Sequence, residues 1–412
     1  MRIALILMLF LILMTQKEAC AENIAALESQ IRELTQVVHE LKNTVDIQQQ
    51  EISDLKRNYE IKYQVPLPQP TVQPTILPPK FTPEIGAVAD VVAKLDSSKV
   101  DPENVNRVSI RELELVLGSN VDPYSRLDAT IAFNDKNEID LEEAYLTRFG
   151  LPFGTTARIG EFLPKIGKMV PVHRDSIDTV DEPLVIQRYF GDEGMHKAGV
   201  DLTKVLDLPL PSVHQVTVGV LEGGNGDGGT AFGPARRRPT LYGHLKNYID
   251  ITDVTNFELG ASEAVGSNAN DASFKTNVLG LDATLHHIIG QDKEIKLQGE
   301  AFVLNRRESI DELDGATNPS GDFWGGYGLF DVRLSSQWGT GFRFDYVEPV
   351  NRLLADPNKA EIGYTGYLTF YQSEFARLRA QFSHIYLTSG GIDDRVFLQG
   401  TFAIGEHKHK LQ

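Results

Sequence analysis

From about residue 84 onward, apolar and polar side chains alternate one for one, in segment after segment. Phe330, Val332 and Leu334 share one face, with Asp331, Arg333 and Ser335 on the other. Phe342, Phe344 and Tyr346 alternate with Arg343 and Asp345, and Leu378, Ala380 and Phe382 with Arg377, Arg379, Gln381 and Ser383. Leu279, Leu281, Ala283 and Leu285 alternate with Asp282, Thr284 and His286. Leu127, Ala129, Ile131 and Phe133 do so with Arg126, Asp128, Thr130 and Asn134. A period of two is the signature of a β-strand. About 16 such segments can be counted, many of ten residues or longer. That length suits a tilted strand crossing a bilayer, whereas strands of soluble sandwiches run nearer to about five or six residues. The pattern predicts an all-β domain over residues 84–412, an antiparallel transmembrane β-barrel of about 16 strands. The first strand is expected near Ile85 to Lys94. Between Glu138 and Phe149 the phase is uncertain, because Glu143 falls on the face of Ile139, Leu141 and Tyr145, as a bulge would cause.

A different period precedes the barrel. Ile24, Ile31, Val38, Val45 and Ile52 occupy heptad a positions, and Leu27, Leu34, Leu41, Gln48 and Leu55 the d positions. Steps of three and four keep one apolar stripe facing a partner helix, which predicts an α-helical coiled coil over 22–60. β-Branched residues at a with Leu at d lean towards two strands. Seven prolines between Pro66 and Pro83 then predict an extended, semi-rigid linker over 61–83. At the start, Arg2 precedes an unbroken apolar run from Ile3 to Met14, and Ala19-Cys20-Ala21 offers small residues for cleavage. That arrangement predicts a signal peptide over 1–21 and hence export. Lys17 and Glu18 count against the rival lipoprotein reading with Cys20 as the lipidated residue. Cleavage after Ala21 removes the only cysteine.

Beyond the signal no apolar run approaches the roughly 20 residues of a membrane helix. A closed barrel needs none, since only alternate residues face lipid. The formal charge of −17 argues against nucleic acid as a partner. Alternation alone fits a soluble sandwich as well as a pore. Export, strand length and the alternation of short gaps with long ones favour the pore. Asn134–Glu138, Gly290–Lys293 and Gln337–Gly341 are read as short turns; 221–242 and 306–322 are read as long outer loops. Trp324, Tyr327, Tyr364, Phe370 and Tyr371 near strand ends are candidates for interfacial girdles.

In a pore the polar faces turn inwards. Arg126, Asp128, Asp282, Glu300, Asp331, Arg333, Arg343, Asp345, Arg377 and Arg379 are then candidate pore-lining residues, with Glu112 and Glu114. Opposed rows of arginine and carboxylate set up a transverse field; cross-strand ion pairs that merely hold the barrel are the alternative. Signs are mixed, so the sequence does not yield ion selectivity. Pro164 to Gly194, after the fifth strand, is a long stretch without alternation and a candidate constriction loop, the alternative being an external loop. Its charged residues include Lys165, Lys168, His173, Arg174, Asp175, Asp178, Asp181, Glu182 and Arg188.

Other motifs carry less. The run Gly223-Gly-Asn-Gly-Asp-Gly-Gly neither repeats nor joins a strand to a helix, so it reads as a loop. His286-His287 and His407/His409 lack flanking ligands, and no metal site or cofactor is expected. No nucleophile elbow marks a catalytic serine, and no enzyme activity is expected.

Arg107-Val-Ser-Ile-Arg-Glu-Leu-Glu-Leu, Glu142-Glu-Ala-Tyr-Leu, Arg158-Ile-Gly-Glu-Phe-Leu-Pro-Lys-Ile-Gly-Lys and the closing Phe397-Leu-Gln-Gly-Thr-Phe-Ala-Ile-Gly-Glu-His resemble segments of the phosphate-selective porins. The resemblance covers roughly residues 85 to 412. It implies a homotrimer of 16-stranded barrels in the outer membrane of a Gram-negative-type bacterium, each with a loop folded into its channel. It implies passive diffusion of small hydrophilic solutes or ions, phosphate and other anions among them. The coiled coil would then lie in the periplasm. The inner faces carry as many acids as bases, so no residue is carried over as a phosphate ligand. The alternative function is a structural anchor that tethers the envelope through cell-wall contact of the coiled coil.

Overall fold

The structure is a computed structural model; it describes residues 83–405 except 98–105, 135–137, 193, 225–229, 234–237, 269–274, 308–320 and 351–359. The expected coiled coil, linker and signal peptide lie outside the described residues. Sixteen strands run in chain order: β1 Glu84–Asp96, β2 Arg107–Asp122, β3 Ser125–Asn134, β4 Ile139–Leu151, β5 Thr155–Phe162, β6 Lys197–Leu206, β7 Val213–Leu221 and β8 Thr240–Thr252. They continue with β9 Thr255–Ser267, β10 Lys275–Gly290, β11 Lys293–Arg306, β12 Gly321–Arg333, β13 Trp338–Val347, β14 Glu361–Ser373, β15 Ala376–Tyr386 and β16 Ile392–Gly405. Each pairs antiparallel with its neighbours in sequence, and β1 closes the barrel on β16, from Gly86 opposite Gly405 to Asp96 opposite Arg395. Closure leaves no free sheet edge, which a sheet in lipid requires.

The two faces of the wall are inverted relative to a soluble protein. Leu281, Leu297, Phe342, Leu368, Leu378 and Phe382 are exposed on the outside, while Asp282, Glu300, Arg343, Thr369, Arg379 and Gln381 are buried inside. A belt of this size is stable only against an apolar solvent, where each large side chain gains about 1.5–3 kcal/mol over exposure to water. Trp324 stacks on Tyr346 towards one end of the barrel, and Trp338 meets Phe370 at the other. Trp338 pairs with Leu334 across the turn, so about ten strand residues separate the two tryptophan levels. At about 3.3 Å per residue and a tilt of about 40°, that places the levels about 25 Å apart, the height of an outer-membrane apolar band. Tyr327, grouped with the girdle aromatics on sequence grounds, instead points inwards and accepts a hydrogen bond from Gln298.

One end of the barrel carries tight connections such as Pro123–Tyr124, Asp253–Val254, Gln291–Asp292 and Glu374–Phe375. The other carries the long ones. Asn134–Glu138, expected among the tight turns, lies at the long-loop end, since it joins β3 to β4. Among the described residues, two bulges interrupt the ladders away from the hairpin ends. Asp90 faces Glu112 while Val91 faces Ile110, so Arg111 is an extra residue in β2. Thr130 faces Glu143 while Ile131 faces Leu141, so Glu142 is extra in β4. The bulge accounts for the uncertain phase there: Glu142 and Glu143 both turn inwards and both are buried.

Candidate functional site

The connection from β5 to β6 does not leave the barrel. Phe162, Ile166, Val170, Ile177, Val185, Tyr189 and Phe190 are buried in one cluster with Phe302, Leu304, Phe323, Tyr327 and Val347 of the inner wall. The segment therefore brings its own apolar core into the lumen. It contains a turn of 3-10 helix at Arg174–Ser176 and a short helix, α1 (Leu184–Tyr189). Pro183 caps α1, and the Leu184 N–H donates to the Asp345 carboxylate 3.0 Å away.

A buried loop must find partners for its backbone, because unpaired amides and carbonyls cost about as much as lost hydrogen bonds. The polar inner wall supplies them. Gly167 donates to Ser262 Oγ, while Lys168 and Met169 donate to the Glu300 carboxylate at 2.7 and 3.3 Å. Gly167 has φ +67°, and a Cβ there would fall 1.7 Å from Glu300 Oε1, so glycine alone fits. Val180 N–H donates to Gln381 Oε1 at 2.6 Å.

Arginines serve the carbonyls. Arg377 donates to Asp175 O (2.6 Å), and Arg379 to Ile177 O (3.0 Å) and Thr179 O (2.7 Å). Arg111 donates to Val180 O (2.6 Å) and pairs with Asp90. Arg343 reaches Asp181 O and Glu182 O while pairing with Asp345 and Asp181. Arg343, Arg377 and Arg379 are at most 4% exposed, so they hold the segment from behind and do not face open water. Lys296 pairs with Asp178, both carboxylate oxygens lying 2.7 Å from its Nζ. Burial opposes ionisation of Asp178, yet the Lys296 ammonium outweighs it and holds the carboxyl below its ordinary value. Glu182 has no such partner. Burial dominates over Arg174 and Arg343 and pushes it up to about 8.

The opposite flank is basic and half-buried. Lys168 and Lys246 share Glu258, at 2.5 and 2.7 Å, and Arg158 pairs with Asp201 at 2.6 Å. Lys165 donates to Thr203 Oγ1 at 3.2 Å; burial, with Arg158 nearby, pulls its ammonium below the ordinary lysine value. Glu258, which serves the two lysines, and Asp201, which pairs with Arg158, are both buried.

His173 is buried between the bulged pair of β4, with Nδ1 3.2 Å from Glu142 Oε2 and Nε2 3.1 Å from Glu143 Oε2. Burial favours the neutral ring, but the two carboxylates prevail and raise its pKa well above the ordinary histidine value.

The remaining sequence candidates are dispersed. Arg126 pairs with Glu84 and Asp128 beside β1 and β3. Asp282 is buried with His244 3.9 Å away. Asp331 accepts from Tyr367 Oη, and Arg333 lies 3.6 Å over the Tyr371 ring. Arg174 donates to Asp192 O, Asp175 is buried and accepts from Ser176, and Arg188 pairs with Glu361 at 2.8 Å. Alternation missed Arg111 and Glu142, because a bulge residue carries the wrong phase; the Glu142-Glu143 doublet was the only signal. His286, set aside as a ligand, pairs with Glu294 at 2.9 Å.

No protein-family profile matches the chain. An uncharacterised protein of Aquifex aeolicus is 28% identical over 293 residues, 65% of this chain, and the match spans only 61% of that relative's length. Among solved structures, Pseudomonas putida OprB aligns with a TM-score of 0.52 at 11% identity, covering 78% of this chain and 94% of its own. OmpF of Salmonella typhi, in complex with daunomycin, aligns with a TM-score of 0.52 at 6% identity, covering 78% and 97%. The outer-membrane channel DcaP of Acinetobacter baumannii gives 0.50 at 11% identity, covering 78% and 95%. The fold is that of the outer-membrane porins.

Proposed function

We propose that the chain is an outer-membrane porin through which small hydrophilic solutes diffuse passively, with the inward segment 164–194 setting the aperture. The observation that carries this reading is the inversion of the wall: apolar outside, charged inside, with a built-in segment held against the charged face. An anchor has no need of a polar interior, and burying so many charges in a solid plug would be costly.

The half-buried lysines supply the selectivity in this proposal. Lys165, Lys168, Lys246 and Arg158 face two carboxylates, Glu258 and Asp201, which are both buried. The flank is positive towards water and favours anions, phosphate among them. The homotrimer implied by the sequence resemblance belongs to the same proposal. Reconstitution of the protein in a planar bilayer under a potassium chloride gradient tests it. Conductance in steps of three with an anion-leaning reversal potential is expected. A silent membrane from folded protein sinks the pore, and a cation-leaning potential sinks the lysine assignment.

A further inference from the structure

Four glutamates and one aspartate crowd one imidazole at the root of the inward segment. Glu112 and Glu114 reach in from β2, Glu142 and Glu143 from the bulge of β4, and Asp175 from the segment itself; all are at most 5% exposed. Of the cations nearby, Arg111 pairs with Asp90 and donates to Val180 O, and Arg174 donates to Asp192 O and also acts on Glu112, as His196 does on Glu142.

Within the crowd, one oxygen or nitrogen each from Glu114, Glu142 and His173 lies within 4.8 Å of the others, and all three residues are buried. Glu142 Oε2 has no hydrogen-bond partner, although it sits 3.2 Å from His173 Nδ1. That separation is close to the edge of a tetrahedron drawn around an ion with bonds of about 2.1 Å. On the far side of the ring, Nε2 meets Glu143 at 3.1 Å. A carboxylate there fixes the tautomer that frees Nδ1 for an ion and makes it a better donor.

We propose that His173, Glu142 and Glu114 bind one first-row divalent cation of the zinc type, taken up in exchange for the proton on His173 Nδ1. An imidazole with two carboxylates favours such an ion over calcium or magnesium, which prefer oxygen alone. Glu143 is the outer residue that orients the ring. The ion ties the segment, through His173, to two adjoining hairpins, at the place where both bulges occur. This site stands independently of what the pore conducts.

The test is zinc titration by calorimetry of the full-length protein, folded in detergent and stripped with chelator. One tight site per chain is expected, absent in Glu142→Gln and in His173→Gln, and weakened roughly 10- to 100-fold in Glu143→Gln. Circular dichroism reports whether each variant keeps its barrel. For wild type alone, the zinc X-ray absorption spectrum should show one imidazole among oxygen ligands. A wild-type protein without a tight site, tight binding unchanged in both ligand variants, or preference for calcium would each overturn the assignment.

Discussion

Two flanks of the same lumen use basic residues for opposite ends. On the flank built from β2, β13 and β15, Arg343, Arg377 and Arg379 are stripped of water and, with the partly buried Arg111, spend their donors on the carbonyls of residues 175–182. On the flank facing β5, β8 and β9, Lys168 and Lys246 stay half-buried and share the Glu258 counter-ion, while Arg158 is as buried as Arg111. The difference follows from the side chains. A guanidinium presents five donors in a planar fork and is weakly hydrated, so it can be buried against several acceptors at once. An ammonium is a compact, strongly hydrated charge and gains by keeping contact with water. The first flank is therefore mortar and the second a working surface.

The strongest way to break the comparison is to remove the mortar. Arg343→Ala leaves Asp345 Oδ2 and the carbonyls of Asp181 and Glu182 without the guanidinium. A loss of about 3–5 kcal/mol is expected, read as a lowered thermal midpoint together with a larger, noisier single-channel current. Conductance indistinguishable from wild type would show that the arginines do not hold the segment. Gly167→Ala comes next. The left-handed backbone and the clash with Glu300 should cost about 1–3 kcal/mol, with the same rise in current noise and little change in selectivity.

A change of pH probes the docked segment more gently. Glu182 is pushed up to about 8 when docked and returns to an ordinary carboxyl when water reaches it. The docked state then binds more protons between about pH 4.5 and about pH 8, so docking weakens as pH rises across that window and levels off above it. Open-channel noise at about pH 9 should exceed that at about pH 6, and Glu182→Gln should abolish the difference. The smallest structural effect belongs to the working surface. Lys165→Gln combined with Lys168→Gln should cost less stability than the arginine variant, since Lys246 still pairs with Glu258, yet move the reversal potential towards cations. A reversal potential that does not move would place the selective surface elsewhere.

Much of the barrel was legible because a strand in a wall between lipid and water must alternate strictly. Phe342, Phe344 and Tyr346 against Arg343 and Asp345 state which faces differ, and the number of such stretches anticipates sixteen strands. Legibility failed where the period broke. Arg111 and Glu142 carry the wrong phase because bulges insert them, and Tyr327 looks like any other aromatic near a strand end. The roles of the inner charges were not legible either. Arg343, Arg377 and Arg379 read as pore lining, since nothing in their own strands announces that carbonyls some 160–200 residues away will cover them.

By itself the sequence determined the strands, their alternation and the place of the long insertion, because each of these is a local property of side-chain order. Only the tertiary structure decided which charges meet water. That choice depends on where residues 164–194 come to rest inside the closed wall, and their backbone accepts whichever donors lie opposite. The same closure brings Glu114, Glu142 and His173 together from three separate stretches of chain.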